Sequence, residues 1–279
     1  MNWLKTGVLD PQGPVATSQL QILINATVIM LAVIVPVIVL TLAFAWWFRA
    51  GNKRAKYKPD WAYSGQIELV VWSIPTLIVL FLGGIAWIGS HDLDPRKPLV
   101  SANPAVTIQV VSLDWKWLFI YPEQEIASVN RLVMPVGTPV KFQITSATVM
   151  NSFFVPQLGS QIYAMSGMTT ELNLQADRAG SYPGFSAQFS GEGFSGMRFN
   201  ADAMPKAEFD AWVANAKQDG SLLDPKSYDE LAKPSSAVPP MTYGALAPDM
   251  FGHVLRGGQP MASAMGKASQ PMPMHQQRN

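Results

Sequence analysis

The longest stretch of this chain without an ionisable side chain runs from residue 11 to residue 48. Within it, LQILINATVIMLAVIVPVIVLTLAFAWWF exceeds the roughly 20 apolar residues that a helix needs to cross a bilayer. Pro36 is tolerated in a membrane helix, and Trp46 and Trp47 close the run where interfacial aromatic residues are expected. The run is too long for the core of a signal peptide, so we predict a retained membrane anchor.

A second charge-free run, from Leu69 to Gly89, predicts a second spanning helix. Only 14% of the chain is charged, against about a quarter in soluble domains, which also favours a membrane protein. The loop 49–66 between the spans carries five basic residues and one acid, and short basic loops stay cytoplasmic. We therefore expect residues 1–19 to be exported, 20–90 to form a two-helix hairpin, and both termini to lie in the periplasm of a bacterial cell.

After the second span the apolar pattern changes to period two. The runs VTIQVV, VKFQIT and LNLQA alternate apolar and polar side chains, and glycine and proline turns separate them. This pattern predicts an antiparallel β-sandwich or barrel within residues 91–203. In residues 204–233, Phe209, Trp212, Val213 and Ala216 share one face of a predicted helix. Residues 234–279 are rich in Pro, Gly, Ser and Met, and we predict a mobile tail.

Composition removes several function classes. The net charge of +1 gives no reason to expect a nucleic acid as partner. The absence of cysteine excludes disulfides, thiolate metal sites and cysteine nucleophiles in this sequence. We also find no nucleophile motif and no glycine-rich phosphate loop.

Several motifs together point to a family. Two spans followed by SLDWKWLFIYPE and a sandwich resemble subunit II of the haem-copper respiratory oxidases, whose exported domain is a cupredoxin. The segments LDPQG, DWKWLFIYPEQ and MNSFFVPQLGSQIYAM more specifically resemble the cytochrome bo-type ubiquinol oxidases. The fold implied is a membrane helix hairpin, an all-β cupredoxin-like sandwich and a small C-terminal helical segment. The resemblance covers most of residues 9–251.

The resemblance implies a function for the chain and its partners. The complex would oxidise ubiquinol, reduce oxygen to water and translocate protons across the bacterial inner membrane. This chain would be a non-redox subunit that supports the large subunit (subunit I). The haems, a copper ion and the quinol site would belong to that large subunit, and smaller membrane subunits would complete the complex. Cytochrome c would not be a partner.

The copper-binding members of that family indicate which positions matter. They hold a binuclear copper centre with a histidine before S-F/W-x-x-P and the loop C-S-E-x-C-G-x-x-H-x-x-M. None of the six corresponding positions of this chain carries the ligating side chain: Asn151, Phe189, Gly191, Gly193, Met197 and Asn200. Thiolates are the ligands that select soft copper. We therefore expect no metal site on this chain.

Three further residues receive an expected role, and none of them is catalytic. Glu68 heads the second span, where an acid is commonly stabilised by the helix dipole. The family resemblance implies instead the entrance of a proton pathway into the large subunit, and ionisable residues at a membrane boundary suit that role. Trp115 and Trp117 resemble the aromatic residues near the copper loop. Without copper, we expect them to serve packing and an interface.

Two alternative functions follow from copper chemistry. A membrane-anchored periplasmic copper carrier would use thioether and imidazole ligands near the C-terminus, which bind Cu(I). The available side chains are Met250, His253, Met261, Met265, Met272, Met274 and His275. They show no regular spacing, so the sequence favours the oxidase subunit. A copper-containing cytochrome c oxidase subunit would require the cysteines that the sequence lacks.

Overall fold

The computed structural model describes residues 7–56, 58–218 and 220–257, and it begins with two long helices. Helix α1 is Pro14–Trp47 and helix α2 is Gly65–Asp92. Both are long and apolar enough to cross a membrane, and most of their side chains are exposed. A helix that exposes apolar side chains on every side is stable in lipid and not in water. The two predicted spans are therefore confirmed.

Helix α1 is longer than a membrane requires. Its 34 residues extend about 50 Å at 1.5 Å per residue, whereas the hydrocarbon core is about 30 Å thick. Pro14 stands at its first position, where the missing N–H costs nothing. The first turn, residues 14–17, belongs to the β-domain described below. It therefore lies outside the hydrocarbon core of the membrane.

The remainder of the described chain is mostly β-structure with three further helices. The strands are β1 Val106–Leu113, β2 Lys116–Tyr121, β3 Ile126–Val129, β4 Arg131–Pro135, β5 Val140–Ser146, β6 Asn151–Phe154, β7 Ile162–Ala164, β8 Thr170–Leu174, β9 Gly180–Ser186, β10 Arg198–Met204, β11 Leu222–Leu223, β12 Met241–Tyr243 and β13 Ala245–Leu246. The helices are α3 Lys206–Gln218, α4 Pro225–Ala232 and α5 Met250–Leu255.

The strands form two main sheets that face each other. One sheet has the order β12-β3-β2-β1-β5-β8, and the other has the order β4-β10-β9-β6-β7. The sandwich is confirmed, but the expected all-antiparallel pairing is wrong, because β1 pairs with β5 and β4 with β10 in parallel. Period-two alternation reports which face of a strand is buried and does not encode the direction of its neighbour.

Aromatic side chains fill the space between the two sheets. Trp117 and Phe119 from β2 meet Phe153 from β6 and Phe199 from β10, and all four are almost completely buried. The rings of Phe153 and Phe199 stack with centroids 5.2 Å apart, and Trp117 meets Phe153 edge-on at 5.5 Å. Such contacts add to the free energy gained from area burial.

The outer face of the six-stranded sheet is covered by the C-terminal segment. Leu118 and Ile120 of β2 point to that face and pack with Tyr228 of α4 and with Phe251 and Val254 of α5. The prediction of a mobile tail is therefore wrong for residues 241–255, since a sheet with two apolar faces needs a layer on each. Residues 258–279, which include Met261, Met265, Met272, Met274 and His275, lie outside the described residues.

The segment before the first span belongs to the sandwich. Gln12 N donates to Gln157 O (2.8 Å), and Asp177 N donates to Gln12 O (2.8 Å). A Cβ at Gly13 would lie 2.0 Å from Gln175 O, so only glycine allows this approach. The described residues of 7–17 and 95–257 accordingly form one compact unit, and those of 18–94 form another.

Candidate functional site

The loop between β9 and β10 carries four of the six positions that correspond to copper ligands. Gly191 has a positive φ of 104°, which lets the chain reverse, and residues 194–196 form a single 3₁₀ turn. The loop closes on itself through its backbone, because Phe194 N donates to Gly191 O and Met197 N donates to Phe194 O. These backbone bonds stabilise the turn of the loop.

Trp115 covers this loop from the β1–β2 hairpin. Leu113 pairs with Lys116, so Asp114 and Trp115 form the turn, and Trp115 adopts a φ of 64°. Its Nε1 donates to Ser190 O at 3.0 Å. A Cβ at Gly193 would lie 2.4 Å from Cδ2 of the Trp115 ring. The indole therefore occupies the space that a cysteine side chain would need at position 193.

The side chains at the other four positions lie in different environments. Asn151 is buried and accepts from Ser186 Oγ at 2.9 Å. Met197 is buried in the core of the sandwich, whereas Asn200 on β10 is exposed. Phe189 is 72% exposed and meets the Phe194 ring edge-on.

These positions do not fit a binuclear copper centre. They offer one thioether and two amides, of which Asn151 is already hydrogen-bonded, and no thiolate or imidazole, so the soft ligands are missing. Met197 and Asn200 also differ in environment, one buried and one exposed. In the described part of the chain, no three His, Cys, Asp or Glu side chains are grouped as metal ligands.

The two tryptophans of the DWKW motif have different environments. Trp115 is half-buried over the loop and packs against the core at the surface of the sandwich. Trp117 is fully buried among Phe153 and Phe199, so its expected role at an interface is wrong. In a regular strand, residues two positions apart point to the same face. Trp115 lies in the turn before β2, so it does not share a face with Trp117.

Buried polar contacts connect β2 to the C-terminal segment, and the sequence did not indicate them. Asn130 adopts a φ of 53°; its Oδ1 accepts from Trp117 N (2.9 Å) and its Nδ2 donates to Val238 O (2.8 Å). Lys116 Nζ donates to Lys233 O (2.7 Å) and Ser235 Oγ (2.6 Å). Burial lowers the pKa of Lys116, and the charge of Asp114 opposes that shift.

Tyr121 is a third buried polar side chain of the sandwich. Its hydroxyl donates to Val133 O (3.0 Å) and accepts from Val133 N (2.8 Å). Burial raises the pKa of Tyr121, so the phenol stays neutral and joins β2 to β4 across the core. In the sequence, these contacts could have been suspected only because Asn130 and Tyr121 are polar residues within or beside apolar strand patterns.

Glu68 is placed in the first turn of α2, exposed and just after the basic loop. It belongs to the unit of residues 18–94, whereas the six loop and strand positions belong to the sandwich. The predicted site residues therefore form two separate groups, one in each unit.

Two family models match the chain. "Cytochrome C oxidase subunit II, periplasmic domain" matches residues 120–204, which contain most of the sandwich. "COX Aromatic Rich Motif" matches residues 217–256, which contain α4, α5 and the short strands that cover the outer sheet face. The C-terminal layer is thus a recognised part of such proteins.

Several known proteins are similar over most of the chain. Cytochrome bo(3) ubiquinol oxidase subunit 2 of Pseudomonas aeruginosa is 52% identical, over 94% of this chain and 79% of that protein. Ubiquinol oxidase subunit 2 of Acetobacter aceti is 48% identical, over 94% and 87%. The periplasmic domain of CoxB from Bradyrhizobium japonicum is 24% identical over 44% of this chain and 99% of that chain, with a TM-score of 0.41. The identity and coverage of the first two show that this chain belongs to the ubiquinol oxidase subunit 2 family.

Proposed function

We propose that this chain is the non-redox subunit II of a proton-pumping terminal oxidase that oxidises ubiquinol and reduces oxygen to water. The observation that carries the proposal is the loop at Gly193, where Trp115 fills the space of a copper ligand. A sandwich without a copper relay does not accept electrons from a soluble donor. Ubiquinol is lipid-soluble and reaches the large subunit within the bilayer, so that complex needs no such relay.

The partners and placement follow from this proposal. The large subunit holds the haems, the copper and the quinol site, and this chain braces it with two helices and the sandwich. In the bacterial inner membrane, loop 49–66 faces the cytoplasm and the sandwich faces the periplasm. The basic loop supports this orientation. The bonds of Gln12 to Gln157 and Asp177 support the hairpin arrangement, because they require both ends of the helix pair to lie on one side of the membrane.

Purification in mild detergent tests the proposed function. We expect a haem-containing large subunit to co-elute with this chain, and the complex to consume oxygen with ubiquinol and not with reduced cytochrome c. Rapid oxidation of cytochrome c would contradict the proposal. A lone chain with stoichiometric copper would support the copper carrier instead. That alternative is not favoured, because the relatives are named oxidase subunits and Met250 is buried.

We also propose that Glu68 is the entrance of a proton pathway into the large subunit. Its exposed carboxylate at the start of α2 supports this role, since it can exchange protons with water beside the membrane. Replacing Glu68 with Ala should slow oxygen consumption several-fold and reduce proton release in vesicles, and Glu68→Asp should restore much of both. Asp60→Asn, which removes a nearby carboxylate, is the control. Unchanged turnover and pumping in Glu68→Ala would remove the role.

A further inference from the structure

A large cavity lies where α1 ends and α2 begins, within the unit of residues 18–94. Its volume is about 930 Å³, at the upper end of the roughly 300–1,000 Å³ of known ligand pockets. One part of its wall is apolar or aromatic and is formed by Phe44, Phe48, Trp61 and Ile67. The other part is polar and basic and is formed by Arg49, Asn52, Lys56 and Lys58. A ligand of this cavity must therefore carry an apolar portion and an anionic portion.

Two of the polar lining residues are held by the end of α1. The Arg49 guanidinium lies 4.9 Å from the centroid of the Trp46 ring, and its Nη1 donates to Trp46 O at 2.9 Å. Asn52 Nδ2 donates to Trp47 O at 2.6 Å. A guanidinium has five N–H donors, so most of those of Arg49 remain for a ligand. The cation is thus positioned before anything binds.

Basic side chains outnumber acidic ones in this region. Residues 49–68 contain five basic residues and two acids, Asp60 and Glu68. Among the residues that the structure describes, no ion pair is seen for Arg49, Lys56 or Lys58. Three unneutralised cations around one cavity attract an anion, and basic pockets between membrane helices are known to bind anionic headgroups.

The apolar wall distinguishes a lipid from a soluble anion. Phe48 directly follows α1 and lies one turn after Phe44, with ring centroids 6.3 Å apart, and the two rings lead from the cations toward the span. An acyl chain along these rings would lie parallel to α1, as lipid chains do beside any spanning helix. A free phosphate would leave this wall uncovered.

We propose that this cavity binds an anionic phospholipid. Its phosphodiester lies against Arg49, Lys56 and Lys58, and its acyl chains lie along Phe44, Phe48 and Ile67. The bound lipid neutralises the basic cluster and joins the ends of the two spans. The site does not depend on the proposed function, since it requires only that α1 and α2 lie in a membrane.

Native mass spectrometry of the detergent-purified full chain, with its co-eluting subunits, tests the site. The protein is titrated separately with phosphatidylglycerol and phosphatidylcholine, and we expect a preferred phosphatidylglycerol adduct. Each basic contact contributes about fivefold at an anionic surface, so Lys56→Gln with Lys58→Gln should weaken phosphatidylglycerol binding roughly 25-fold. Phosphatidylcholine binding should not change.

The matched control removes the same number of charges from the same loop. Lys53→Gln with Arg54→Gln alters residues that do not line the cavity, and we expect less than about a twofold change, because local contacts and not diffuse charge drive binding. Phe48→Ala should weaken both lipids. Equal binding of the two lipids, equal losses in the two double variants, or equally tight binding of glycerol phosphate would each overturn the proposal.

Discussion

Replacing Phe153 with alanine is expected to lower the free energy of unfolding of the sandwich by about 3–5 kcal/mol. Phe153 is fully buried, and its ring lies 5.2–5.5 Å from those of Trp117, Phe142 and Phe199. The substitution removes transfer free energy and leaves a cavity that three neighbouring rings cannot fill. Near-ultraviolet circular dichroism of the purified full chain during urea unfolding measures the loss.

The neighbouring residue provides the control for this prediction. Phe154 also lies on β6, but its side chain points to the opposite face and contacts the ring of Phe185. Because Phe154 is only half-buried, its replacement by alanine should cost about 1 kcal/mol. If both substitutions cost the same, the aromatic cluster is not the main source of stability of the sandwich.

The second large effect is expected at Asn130. Replacing it with alanine places a Cβ without a compensating hydrogen bond at a φ of 53°, which costs roughly 1–2 kcal/mol. It also leaves Trp117 N and Val238 O without their partners; a buried unsatisfied group such as Trp117 N costs roughly 1–3 kcal/mol, and the part-buried Val238 O costs less. We expect a loss of about 3 kcal/mol or more in the same unfolding experiment.

Two further substitutions at this position separate the causes. Asn130→Gly relieves the backbone strain and loses both hydrogen bonds. Asn130→Asp tolerates the backbone conformation and keeps the acceptor for Trp117 N, but it loses the donor to Val238 O. The expected order of destabilisation is alanine, then glycine, then aspartate. Equal effects of alanine and glycine would show that the positive φ contributes nothing.

The parts of the fold that local periodicity encodes could be predicted from the sequence. The two charge-free runs became α1 and α2, and the alternating runs became β1, β5 and β8. The predicted face of α3 is also the buried one, since Phe209 and Ala216 lie in the core. In each case the spacing of apolar side chains alone determines which face is covered.

Features that depend on distant parts of the chain could not be predicted. The parallel pairing of β1 with β5, the packing of α5 on the outer sheet face and the attachment of Gln12 to Gln157 have no local signature. The site shows the same division. The positions that correspond to copper ligands could be identified from their motifs. The contact of Trp115 with Gly193 joins residues 78 positions apart, so it could be identified only in the structure.

The attachment of the N-terminal segment to the sandwich has a consequence for biogenesis. The ribosome makes Gln12 before the first span and its partners Gln157 and Asp177 long after the second, so these hydrogen bonds can form only after both spans have been synthesised. A chain whose first span fails to insert leaves that edge of the domain open to water and proteases.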